Sequence, residues 1–113
     1  MKKLAASLIL ATLFTAAHAE PKHPAWSRSS NVYEVNPRQF SKEGTLNAVT
    51  ASLPRLKQMG VDIVWLMPIH PIGQKNHKGT LGSYYAVQDY TAVNPDYGTV
   101  DDFKAFLTAA HSH

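Results

Sequence analysis

Apolar residues recur along this chain at two different spacings, and the change from one to the other outlines its elements. Val32-Tyr33-Glu34-Val35 has strand composition and is stopped by Asn36-Pro37. Leu46, Val49, Leu53, Leu56 and Met59 then recur at helical spacing over residues 45–59, with Gly60 as the C-terminal stop. Pro54 conflicts with an unbroken helix and is expected to kink it or restart it near Leu53. Residues 61–67 are nearly continuous in apolar side chains, as in a strand covered on both faces of a parallel sheet, and Pro68 and Pro71 end them. Trp65, inside that run, is expected in the core.

From there to Thr99 the chain shows no period and is rich in glycine and tyrosine. A loop this long in a compact domain is usually functional. Thr99 can cap a last helix, and Asp101 and Asp102 suit its first turn. Val100, Phe103, Phe106 and Leu107 give it an apolar face. The order strand, helix, strand, long loop, helix describes two β/α units of a parallel α/β protein. Two parallel strands cannot bury themselves, and a closed (β/α)8 barrel needs eight units, typically about 250 residues. The fold class expected is therefore α/β, and the pattern asks for several more units than this chain holds.

The N-terminus follows a different rule. Lys2 and Lys3 precede an apolar stretch over residues 4–17, and Ala17-His18-Ala19 matches the small-x-small cleavage pattern. Residues 1–19 read as an export signal, with Glu20 as the mature N-terminus and a periplasmic or secreted destination. The apolar stretch is short against the ~20 residues of a membrane span, so no membrane partner is expected after cleavage. Residues 20–31, polar and proline-bearing around Trp26, form a leader into residues 32–113.

Charge and cysteine usage narrow the partners. The chain of 113 residues has 11 basic and 8 acidic residues; without Lys2 and Lys3 the balance is 9 − 8 = +1. No basic stripe remains to suggest nucleic acid. With no cysteine, the exported chain has neither disulfides nor a thiolate metal site.

The densest chemistry lies in residues 82–99, which hold Tyr84, Tyr85, Tyr90 and Tyr97 with Asp89 and Asp96. Apolar ring faces cover the C–H face of a pyranose, and acids and amides take its hydroxyls. Other clusters are weaker. His111-x-His113 falls short of the three or four ligands of a metal site, and reads as a solvated helix end. Asp101-Asp102 suits the helix macrodipole better than calcium. Glu34 and Asp89 could be imagined as a glycosidase pair. Carboxylate separation, not presence, decides that chemistry, and Glu34 lies within a strand pattern.

Three segments resemble the alpha-amylase family, glycoside hydrolase family 13. Val32-Tyr-Glu-Val-Asn-Pro-Arg-Gln-Phe40 is similar to its first barrel strand. Leu53-Pro-Arg-Leu-Lys-Gln-Met-Gly-Val-Asp-Ile-Val-Trp-Leu-Met-Pro-Ile69 is similar to its first helix and second strand. Residues 82–99 resemble the long loop after strand two, with a tyrosine four places before an aspartate and an Asn-Pro-x-x-Gly-Thr turn.

The resemblance implies a fold that is the first two β/α units of a TIM (β/α)8 barrel, truncated before strand three, and retaining glycoside chemistry on α-glucans or maltooligosaccharides, with a nucleophile and an acid/base on strands four and five. It places no catalytic carboxylate, metal ligand or cofactor site in this chain; many ligands of the Ca2+ that complete members can hold lie further on. It implies that Tyr85 stacks under the sugar and that Asp89 organises the loop in an Asx-type role. Asn94 and Gly98 match the turn; His70 and Tyr84 lie near strand ends and take no assigned role. The Asp-x-Val-x-Asn-His motif of strand three is expected a few residues beyond His113. The chain alone is expected to be inactive, as an N-terminal piece of such an enzyme. A weak glucan-binding module and a poorly folded remnant are the alternatives.

Overall fold

The computed structural model describes residues 22–113. The expected export signal, residues 1–19, lies outside them. A single turn of 3-10 helix, Ala25–Arg28, leads into strand β1, Val32–Val35. A one-turn helix α1, Pro37–Phe40, follows, then α2, Leu46–Gln58, strand β2, Ile63–Leu66, and α3, Val100–Ser112. The strands pair in parallel, with Val32 opposite Ile63 and Val35 opposite Leu66. The helical crossover between them is what a parallel pair requires.

The spacing of apolar residues explains α2. Leu46, Val49, Leu53 and Leu56 are all buried, at 0%, 0%, 4% and 1% exposure, because residues three and four apart share one helix face. Thr45 Oγ1 accepts from Ala48 N at 3.3 Å to cap the first turn. Gly60, at φ +84°, takes the left-handed conformation that ends the helix. Pro54 does not restart it, and α2 runs from Leu46 to Gln58 with Pro54 inside. Pro54 lies on the exposed face, where the Thr50 carbonyl that loses its partner can turn to water. Met59, the last member of the apolar series, is 57% exposed as the C-terminal cap residue.

The core lies between the strand pair and the two long helices. Val35, Val49, Leu53, Leu56 and Phe106 form its buried centre, with Tyr33, Val64, Leu66 and Phe103 against it. Strand alternation decides which residues reach it. Tyr33, Val35, Val64 and Leu66 turn to the helices, so Val32, Glu34, Ile63 and Trp65 share the other face. There Val32 and Trp65 are 58% and 51% exposed. The expectation of a strand buried on both faces, with Trp65 in the core, is thus corrected. β2 is also shorter than residues 61–67, and on α3 Val100 and Leu107 remain exposed while Phe106 is buried.

The leader is fastened rather than loose. Asn31 Nδ2 donates to Gly60 O at 2.7 Å, and Asn31 N donates to Asp62 Oδ2 at 3.1 Å. Asp62 is thereby used at the amino ends of both strands. No helix among the described residues is long and apolar enough to cross a membrane.

Candidate functional site

Residues 67–99 leave the carboxyl end of β2 and return to the start of α3. The segment has its own scaffold. Ile72 bridges Val87 in antiparallel fashion, flanked by Gly73 N donating to Ala86 O at 2.6 Å and Gln88 N donating to Pro71 O at 2.8 Å. Residues 73–86 therefore form a finger closed at its base. Gly82 is required where the finger turns back: its φ is +68°, and a Cβ there would stand 2.8 Å from Ile72 Cγ2.

The lower part of the loop is tied to the core. Asn94 is buried; its N donates to Ile69 O at 2.7 Å, and its Oδ1 accepts from Asp96 N at 3.0 Å. This Asx turn sets Tyr97, whose N donates to Asn94 O and whose carbonyl accepts from Leu46 N at 2.8 Å. Gly98 follows at φ +131°, and a Cβ would lie 2.8 Å from Asp102 Oδ2. Asp102 needs that space, because its Oδ2 accepts from Thr99 N and Thr99 Oγ1, each at 2.7 Å, in the capping box of α3. These hydrogen bonds hold the Asp102 carboxyl below its ordinary pKa, those from Thr99 first.

Two rings and a histidine edge the exposed side. Tyr85 and Tyr90 are 62% and 76% exposed. Tyr90 meets the half-buried His70 at 5.7 Å between ring centroids, tilted by 58°. His70 Nδ1 lies 3.0 Å from Ala92 O, so its proton sits on Nδ1 when the ring is neutral. That leaves Nε2 as an acceptor. Asp89 Oδ1 accepts from Thr91 N at 2.8 Å and from Thr91 Oγ1 at 2.7 Å. The Thr91 hydroxyl, then its amide, lowers the Asp89 pKa; His70 adds a smaller Coulombic part. The bonds of Asp89 thus go to its own turn and not to Tyr85. Asn94 is linked through Tyr97 to the start of α2, and Gly98 lies against Asp102 at the start of α3.

Arg38 and Tyr97 form a cluster that the sequence reading missed. The Arg38 guanidinium lies 4.6 Å from the Tyr84 ring centroid and 5.7 Å from that of Tyr97. Asn36, at the end of β1, donates through Nδ2 to Tyr84 Oη at 3.2 Å. Tyr97 is 2% exposed, and its hydroxyl and Asn36 Oδ1 are buried without a hydrogen-bond partner. Burial pushes the Tyr97 pKa up, and the Arg38 charge opposes the rise. One signal pointed here: Asn36 and Arg38 follow the carboxyl end of a parallel strand, the active face of β/α barrels. Nothing in the sequence separated buried Tyr97 from its exposed neighbours.

The arrangement offers flat ring surface beside hydrogen-bonding groups, and little acid chemistry. Asp89 and Asp102 are engaged in turns, Asp62 with Asn31, and Asp101 with Lys104 at 3.2 Å. Glu34 lies on the exposed face of β1, in register with Trp65. Among the described residues, no three His, Asp or Glu side chains are grouped to hold a metal ion. His111 and His113 are exposed at the end of α3.

Residues 13–113 match the family described as alpha amylase, catalytic domain. The alpha-1,4-glucan:maltose-1-phosphate maltosyltransferase of Mycolicibacterium smegmatis is 36% identical over 115 residues, covering 78% of this chain and 16% of that protein. The alpha-glucosidase of Pediococcus pentosaceus is 36% identical over 91 residues, covering 76% of this chain and 15% of the enzyme. Among solved structures, an alpha-amylase from Lactobacillus plantarum superposes with a TM-score of 0.73 at 52% identity, over 75% of this chain and 20% of that one. The chain thus spans about a sixth of the two curated relatives.

Proposed function

The chain belongs to the alpha-amylase catalytic-domain family, which implies a TIM-barrel fold, and we propose that it supplies the first two β/α units of such a barrel in an enzyme acting on α-glucans or maltooligosaccharides. One observation carries this reading. The exposed Tyr85 ring stands on a braced loop at the carboxyl end of a parallel strand pair, the face on which such barrels build their active sites. The relatives support the substrate class, since their names specify α-1,4-glucan and α-glucoside chemistry.

In this proposal Tyr85 is the sugar platform, and Asp89, Asn94 and Gly98 shape the loop beneath it. Retaining hydrolysis needs two carboxyl groups about 5–5.5 Å apart, one a nucleophile and one an acid/base. Asp62, Asp89, Asp101 and Asp102 already hold turns, caps or a surface ion pair, and in this proposal the catalytic pair comes from strands four and five of the complete barrel, as the family likeness implies. The chain alone then binds glucan weakly at most and hydrolyses none.

A chimaera tests the proposal. Residues 32–113 replace the matching fifth of the L. plantarum alpha-amylase, and starch hydrolysis is followed by reducing ends. Activity should persist, and Tyr85→Ala in the chimaera should lower kcat/KM by about tenfold or more, the order expected for losing a ring contact of ~1–3 kcal/mol. A folded chimaera indifferent to Tyr85→Ala would overturn the platform, and starch hydrolysis by residues 20–113 alone would overturn the division of labour. We also propose export, from residues 1–19. A mature N-terminus other than Glu20, or retention in the cytoplasm, would refute it.

A further inference from the structure

We propose that Arg38 is a positioning residue for the sugar platform, acting through Tyr84. The guanidinium is wedged between two rings, 4.6 Å from the Tyr84 centroid and 5.7 Å from that of Tyr97. Among the described residues its charge is met by ring faces and by no carboxylate within ion-pair distance.

The two rings differ in freedom. Tyr97 is 2% exposed and fixed through its backbone, with N donating to Asn94 O and O accepting from Leu46 N. Tyr84 lies in the finger and is only half-buried. Its ring packs on the buried group Leu46, Ile69 and Tyr97, and it makes polar contacts with Arg38 and with Asn36 Nδ2, 3.2 Å from its hydroxyl. Arg38 therefore links a fixed ring to a half-exposed one and sets its orientation. Tyr85 is the next residue. Its own ring is 62% exposed, and its backbone N accepts no help from the core, donating only to Ser83 Oγ at 3.2 Å. The setting of Tyr85 thus follows that of Tyr84. A lysine cannot replace the planar group, because a compact ammonium does not lie flat between two rings.

The inference rests on the proposed platform role of Tyr85, and the test separates the two. The full chain, labelled with 13C in its tyrosine rings, is compared with Arg38→Lys and Arg38→Ala by NMR, without and with maltoheptaose. Without sugar, both variants should shift and broaden the Tyr84 and Tyr85 ring signals while leaving Tyr33 unchanged. Unmoved Tyr84 and Tyr85 signals in either folded variant overturn the inference, whatever the sugar does. With sugar, the wild type should move the Tyr85 signal, and the variants should need about tenfold more ligand, as expected for a partly buried cation–π contact. Equal affinity in wild type and Arg38→Lys also overturns it. A wild type blind to sugar sinks weak binding by the chain alone, and the sugar-free comparison then decides the role of Arg38. Should Arg38→Ala fail to fold, Arg38→Lys, which keeps charge and stem, decides alone.

Discussion

Gly98 shows how one residue can set both a turn and a helix start. Its φ of +131° is costly for any residue with a side chain, and a Cβ would approach Asp102 Oδ2 to 2.8 Å. Gly98→Ala should therefore destabilise the chain by about 1–3 kcal/mol, the range for strain at a restricted backbone position, read as a lower midpoint in urea. An unchanged midpoint would mean that the Thr99–Asp102 box re-forms around the methyl group. Gly98 was legible as part of a turn; its service to Asp102 was not, since that depends on a distance. Asp89 was legible as an acid near the rings, and its bonds to Thr91 are local enough to follow from sequence. Tyr97 was not legible. A tyrosine between Asp96 and Gly98 looks like any loop aromatic until the Leu46–Tyr97 hydrogen bond draws it into the core.

Among the elements, local pattern and tertiary context divided the work. The periodic run in α2 named its four buried residues correctly, because a long amphipathic helix depends on spacing alone. The restart expected at Pro54 does not occur, because Pro54 sits on the exposed face of one continuous helix. Strand β2 departs from expectation as well. A continuous apolar run cannot reveal how many neighbours will cover it, and Trp65 is left half in solvent. At the head of α3, Thr99 and Asp102 form a cap whose strength depends on charge. The Asp102 pKa is lowered in the folded chain by bonds from Thr99. A lowered folded pKa adds stability above the unfolded value, near 3.8, and that stability is lost as pH falls below it. Stability should thus decline between about pH 5 and pH 2. Thr99→Ala should make the decline shallower in denaturant titrations at stepped pH. An acid limb of unchanged steepness would show that Asp102 owes nothing to Thr99.

For the whole molecule the governing fact is a strand pair with one helical face and one open face. Val32 and Trp65 on the open side form an apolar patch beside Glu34, of the kind that marks an interaction surface or an aggregation hazard. Trp65→Lys, which places a cation opposite Glu34, should lower dye binding by the isolated chain and shift it toward the monomer in size-exclusion chromatography. Equal retention of both forms would mean that the open face is not what sticks. The braced base of the finger has a consequence of another kind. Ile72, Gly73, Ala86 and Val87 close the finger on themselves, so the exposed tip at residues 75–81 stands apart from the core, while Tyr84 keeps its contacts with Asn36 and Arg38. The entropy of closing a loop grows only with the logarithm of its length, about 0.6 kcal/mol per doubling. Evolution could lengthen, shorten or rewrite the fingertip at almost no thermodynamic penalty. Descendants of one scaffold could in this way trial new sugars without first having to relearn how to fold.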